Sequence, residues 1–164
     1  MIDATPGGEN ADVYCTLAFA NAYHAQQLHN EDWFNTTQDD LAAALVVATQ
    51  YIDLENYRGY PASTTQALKF PRTMLTYRNQ YLDSTVVPLQ VMQACAQLAL
   101  DYIRSDFAKR TTASSGAVTS IKAGSFQINY GGEGATTSEV EFFSAVVIKL
   151  LEPFRQVDLG FVRV

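Results

Sequence analysis

Two segments with helical periodicity flank about thirty residues, 55–85, that fit neither helix nor strand, and Gly59, Pro61 and Pro71 interrupt every period that begins there. Such a stretch is uncommon inside a compact domain, because its backbone amides and carbonyls still need partners. The chain must therefore pin it, either with its own side chains or with a neighbouring molecule. Within it stands QALKFPR, residues 66–72. Pro71 fixes its own φ and biases Phe70 away from helix, so Phe70 can insert as an apolar anchor. Arg72 offers a planar fork to a carboxylate or to backbone carbonyls, within the chain or between subunits. Gln66 can tie the loop's own backbone.

The flanks carry clearer signals. Thr16 can cap a helix to about residue 28, with Leu17, Ala20, Tyr23 and Leu28 loosely on one side. Thr36 or Thr37 precedes Asp39 and Asp40, two carboxylates where the helix dipole favours them; Leu41, Leu45, Ala48 and Ile52 then recur to about residue 53. Val87-Pro88 opens a third helix with Val91, Cys95, Leu98 and Tyr102 on one face and Gln90, Gln93 and Gln97 on the opposite one, a stripe suited to a protein surface or to solvent. A last helix is expected from Thr137 or Ser138, with Glu139 and Glu141 early and FFSAVVIKLL apolar nearly all round, ended by Glu152-Pro153.

Three further segments complete the organisation. Residues 5–10 read as an arm that orders on contact, and 109–117 as a Ser/Thr-rich linker into a β-hairpin over about 118–130. That hairpin is marginal alone and should lean on the helices or on another subunit. Past Pro153 the period changes: Val157, Leu159 and Phe161 alternate with Asp158 and Gly160, and the alternation slips at Arg163. The expected fold is mainly α: a small four-helix bundle with a long irregular loop, one protruding β-hairpin and an extended C-terminal tail. The single helical domain covers 1–153 and the tail 154–164.

Composition narrows the function. A formal charge of -6 over 164 residues and a pI near 4.7 argue against a partner held through phosphate neutralisation or an anionic membrane surface. No apolar run approaches a membrane span, and the first ten residues have no targeting pattern. Cys15 and Cys95 are far apart in sequence, which suggests two reduced, buried thiols. His24 and His29, five apart, turn off a common helical face and read as surface or cap residues rather than ligands. GGEG at 131–134 lacks a phosphate-loop frame, and no nucleophile, acid and base assemble. The expectation is no enzyme, no metal and no cofactor.

The ordered set YCTLAFANAYHAQQLHNEDW, AL..AT.YID, QALKFPR, VP..V..A...LAL, SIKAGSFQINY and VIKLLEPF, over about residues 13–155, resembles tailed-bacteriophage head-to-tail connector (adaptor) proteins, some of which are described as DnaT-like single-stranded DNA-binding proteins. Phe70-Pro71-Arg72 stands where that family usually has Trp-Pro-Arg. The resemblance implies a virion neck protein made in the host bacterial cytoplasm: a ring, of twelve copies, beneath the portal protein, with tail or neck proteins docking below and double-stranded DNA passing through its lumen. It implies that Phe154, Arg155, Val157, Leu159, Phe161, Val162 and Val164 order on the portal. Arg72, Phe70 and the hairpin residues Ile121, Lys122, Phe126, Ile128 and Tyr130 are the inter-subunit candidates. Deleting 154–164 should then leave the helical domain folded and abolish docking. The alternatives are a neck or tail-completion protein one layer down, or a replication accessory holding single strands. The latter could live only at 51–81, where Tyr51, Tyr57, Tyr60, Tyr77 and Tyr81 interleave with Arg58, Lys69, Arg72 and Arg78.

Overall fold

The computed structural model describes residues 2–104 and 143–156, and the backbone of 120–123, 126–129 and 139–141. It is mainly helical, with five helices among the described residues: α1 (Leu17–His24), α2 (Glu31–Phe34), α3 (Gln38–Leu54), α4 (Leu89–Arg104) and α5 (Ala145–Leu151). Capping agrees with the sequence. The Thr16 hydroxyl accepts from Phe19 N and that of Thr37 from Asp40 N, each satisfying an amide of a first turn that has no intrahelical acceptor.

Helix α4 is the element on which the others pack, meeting α3, α5, α1 and α2. Ala94, Ala96 and Ala99 are fully buried on it, and such small side chains let neighbouring backbones approach. Around them Val91, Cys95 and Leu98 meet a core supplied by Leu45, Ala48 and Ile52 of α3, Val147 and Leu151 of α5, and Trp33 of α2. The glutamine stripe is not a free surface: Gln97 is half-buried, its amide donates to Asp101 Oδ1 at 3.1 Å, and the Tyr23 hydroxyl of α1 reaches it.

Helix α1 stops earlier than expected, at His24, because the Asn30 side chain caps the His24 carbonyl at 2.9 Å and the chain turns into α2. Leu28 is consequently outside the helix and 87% exposed. His24 is not a surface residue. It is fully buried, with Nε2 3.0 Å from Ala96 O and its ring 4.3 Å from that of Trp33. Trp33 in turn donates to Asn21 Oδ1 at 2.8 Å. The two thiols are buried and free as expected, but the fold brings Cys15 beside Cys95, and that neighbour together with burial pushes the Cys15 thiol up.

The hairpin forms where the alternation placed it. Strand β5 (Ser120–Ala123) pairs antiparallel with β6 (Phe126–Asn129), in the register Ile121 opposite Ile128, Lys122 opposite Gln127 and Ala123 opposite Phe126. A third strand, β7 (Glu139–Glu141), runs parallel to β5 in a segment the sequence reading gave to the last helix. The residues Glu-Val-Glu satisfy a strand's alternation as well as a helix's acidic first turn, and pairing with β5 gives the ladder a third member. Helix α5 therefore begins only at Ala145, with Ser144 in extended conformation before it.

Two measurements test this packing. Leu45→Ala, at a fully buried position, should cost about 2–5 kcal/mol in urea unfolding, whereas Leu54→Ala, 61% exposed, should stay within about 0.5 kcal/mol. His24 supplies the second test. Its burial, and Arg104 nearby, hold its imidazole below the ordinary value of 6.5, against the opposing pull of Asp101 and the Ala96 carbonyl. A depressed folded value means that the unfolded chain binds the proton first, so His24 favours folding above pH about 6.5 and loses that contribution as the pH falls. Urea midpoints between pH 7.5 and 5.5 should drop, and His24→Gln should flatten the slope.

Candidate functional site

The long loop leaves the C-terminal end of α3 and is tied at four points. Asp53 is the first. Its carboxylate accepts from the Tyr14 hydroxyl and from Lys69 N, the latter at 3.2 and 3.3 Å. Burial pushes the Asp53 carboxyl up while those hydrogen bonds and the Lys69 charge pull it back; burial beside Asp53 also holds the Tyr14 hydroxyl well above the usual phenol range. The second tie is Lys69, whose Nζ donates to Glu55 O at 2.6 Å.

Arg72 is the third. Its Nε donates to Arg58 O at 2.8 Å, one terminal nitrogen to Lys69 O at 3.2 Å, and the other to Gly59 O at 2.7 Å and Tyr57 O at 3.3 Å. The fork thus gathers four carbonyls of the loop that no helix or sheet would satisfy. Gly59 is required beneath it: its φ is 71°, and a Cβ there would stand 2.2 Å from Thr73 O. Gln66 works in the same way, accepting from Ser63 N and donating to Leu68 O and Pro71 O.

Phe70 is the fourth tie. It is buried at the centre of an aromatic group, with ring centroids 4.6 Å from Tyr57, 5.8 Å from Tyr14 and 6.1 Å from Phe154, all edge-on. Phe70 is therefore an internal plug as read for the loop, and its burial removes it from the inter-subunit candidates. Arg72, the other candidate of this loop, is half-buried, with its guanidinium making the four hydrogen bonds to loop carbonyls described above. Of the hairpin candidates, Ile121 and Ile128 are a cross-strand pair, Lys122 faces Gln127 and Phe126 faces Ala123 in the register; Tyr130 lies outside the described residues.

The C-terminal end holds the largest departure from the sequence reading. Phe154 is fully buried against Phe70 and Tyr77, and Arg155 pairs with the buried Glu55 carboxylate at 2.7 Å. The backbone joins in: Arg58 N donates to Phe154 O at 2.8 Å and Gln156 N to Asn56 O at 2.9 Å. These residues, assigned by sequence to the tail, belong to the folded domain, because Pro153 ends the helix without ending the core. Val157, Leu159, Phe161, Val162 and Val164 lie outside the described residues. Nothing in the spacing of Glu55 or Arg155 marks the pair; Phe154, apolar directly after a buried helix, was the available signal.

The aromatic and basic residues of 51–81 divide. Tyr57 is buried with its hydroxyl on Ile52 O, Tyr51 stacks against Tyr102, and Lys69 and Arg72 serve the loop. What faces outward is set by two short ribbons, β1 (Tyr60–Pro61) with β2 (Arg72–Thr73) and β3 (Thr76–Tyr77) with β4 (Gln80–Tyr81). Arg72 and Tyr77 point into the domain, so their alternates, the cross-strand pairs Tyr60/Thr73 and Thr76/Tyr81, point away from it. Arg58 and Arg78 are exposed, the latter with its guanidinium 5.3 Å over the Tyr77 ring.

These features define a mainly helical domain with an internally stapled loop and a small β-hairpin. The chain belongs to the family described as "Putative DnaT-like ssDNA binding protein", whose model matches residues 1–163. No curated protein and no solved structure matches it. Among the described residues, no helix is long and apolar enough to cross a membrane.

The staple can be tested by substitution. Arg72→Lys keeps the charge but loses the fork, and should cost about 2–3 kcal/mol while opening 55–85 to proteolysis. Ending the chain after Pro153 should destabilise the domain by about 3 kcal/mol or more, since it removes a buried aromatic and leaves Glu55 unpaired. Ending it after Gln156 should not; urea midpoints of the two truncations against the full chain give the comparison.

Proposed function

We propose that this chain is a structural head-to-tail connector (adaptor) subunit of a tailed bacteriophage, one copy of a twelve-membered ring at the virion neck. In this reading α1, α3, α4 and α5 form its four-helix bundle, the ring extends the portal's DNA channel, and tail or neck proteins dock beneath. The observation that carries the reading is the anchored root of the C-terminal segment. Phe154 in the aromatic group and Arg155 on Glu55 anchor the chain as far as Gln156, and the sequence beyond, with Val157, Leu159, Phe161, Val162 and Val164, is apolar enough to order on a portal surface. The acidic balance suits a channel wall that duplex DNA passes without being held.

A second reading, a replication accessory that binds single strands, is favoured by the family's description and by the outward-facing Tyr60 and Tyr81 beside Arg58 and Arg78. Two of the four cations it would use, Lys69 and Arg72, are instead spent on the loop's own carbonyls.

Sedimentation of the full chain and of the chain ended after Gln156, each with portal rings of the same phage and with a labelled single-stranded oligonucleotide, separates the two. The connector reading expects portal binding by the full chain, at least tenfold weaker binding by the truncated one, and no oligonucleotide shift. Salt-sensitive oligonucleotide binding without portal binding would replace it with the second reading.

A further inference from the structure

Two faces of the domain are apolar, exposed and opposite in charge. Helix α3 carries no basic residue, and no charged residue between Asp40 and Asp53. Opposite its buried side, Ala43, Val47, Gln50 and Leu54 are exposed at positions that share one helical face, apolar but for Gln50, and Asp39 and Asp40 stand exposed at the N-terminal end of that stripe, Asp40 accepting from the Thr37 hydroxyl at 2.7 Å. An exposed helical face of this length without a cation or an internal carboxylate is not built for solvent.

The second face is the outer side of the two ribbons. Tyr60 is 67%, Met74 69% and Tyr81 81% exposed. The ribbons are joined only by Met74 and Leu75; Leu75 turns into the core, and Met74 holds a φ of 59° that puts its side chain outside. A bulky residue in the left-handed region costs free energy that the surrounding fold must over-determine, and here the result is an exposed thioether between two exposed tyrosines. Arg58, two residues before Tyr60, and Arg78, in the turn between β3 and β4, are exposed, the latter over the Tyr77 ring, while Asp83 accepts from the amide and hydroxyl of Thr85.

We propose that these two faces meet between copies of this chain: the Tyr60–Met74–Tyr81 face of one copy seats on the α3 stripe of the next, with Arg58 and Arg78 towards Asp39 and Asp40. Charge complementarity selects a second copy as the occupant. A nucleic acid strand would cover the ribbon face alone and would leave the α3 stripe uncovered, because its acidic border repels phosphate. One self-complementary contact covers both. The two patches differ, so the contact is heterologous and propagates from copy to copy, as ring closure needs. The inference rests on the connector reading and gives its ring a specific interface.

The test is a charge swap on the full chain. Asp39→Lys/Asp40→Lys in one variant and Arg58→Glu/Arg78→Glu in another lie on exposed positions, and a cooperative urea transition confirms that each folds, at a midpoint lowered in the first variant by the loss of two carboxylates from the first turn of α3. Sedimentation velocity from micromolar to near-millimolar concentration at 0.15 M salt should show self-association of the unmodified chain, weakened about tenfold or more in each variant, because like charges then oppose across the contact. An equimolar mixture of the two variants should recover it, since every contact in an alternating assembly regains opposite charges. A chain that stays monomeric throughout, or a mixture that does not recover, overturns the proposal. So does an oligonucleotide shift lost in Arg58→Glu/Arg78→Glu and kept in Asp39→Lys/Asp40→Lys, which would give the ribbon face to nucleic acid. Recovered self-association without portal binding would sustain this interface and sink the connector reading; portal binding by a chain that remains monomeric on and off the portal would do the reverse.

Discussion

A single guanidinium decides whether residues 55–85 can exist in a folded domain. Four carbonyls of that stretch converge on Arg72, and without a five-donor planar group at that point three of them, in part-buried positions, would have no donor within the chain. Everything nearby follows. Gly59 must be glycine so that Thr73 can approach, Phe70 is delivered into the aromatic group two residues before the fork, and Tyr60 and Thr73 face outward because Arg72 faces in. A segment with almost no regular structure is thereby held through side chains rather than a repeating ladder.

The aromatic group links this loop to the rest of the molecule. Tyr14 reaches it from the N-terminal segment, Tyr57 and Phe70 from the loop, and Phe154 from beyond α5. Residues far apart in the chain therefore share one apolar centre, and the N-terminal segment is further tied by the backbone bond from Ala67 N to Gly8 O. Segment 5–10, read from sequence as an arm waiting for a contact, finds one on its own loop.

The helices were legible because periodicity and caps act locally: Thr16, Thr37 and the Leu41–Leu45–Ala48–Ile52 spacing suffice for α1 and α3. The hairpin was legible for the same reason. What stayed hidden depended on distance in the chain. Glu139 and Glu141 read as a helix start because nothing local reveals that β5 stands ready to pair with them. His24 looked like a surface histidine, although its spacing from Leu17 and Ala20 already placed it on α1's apolar side; only Trp33 and Ala96, brought by α2 and α4, make that side dry. Arg72 was undecided because a sequence does not say where four carbonyls will meet. Pro153 marks the end of the domain by local rules, since a proline stops a helix, yet the core continues for one more aromatic.

The fastening at residues 154–156 also sets how the domain would bear load. A pull applied to the chain beyond Gln156 does not fall on α5 alone. It is shared with the far side of the molecule through the Arg155–Glu55 ion pair and through two main-chain bonds to Asn56 and Arg58, next to the C-terminal end of α3. Those links and the buried Phe154 ring lie within three consecutive residues, so a load there is divided among them. Tension there would thus pass into the C-terminal end of α3 and, through its packing, into α4.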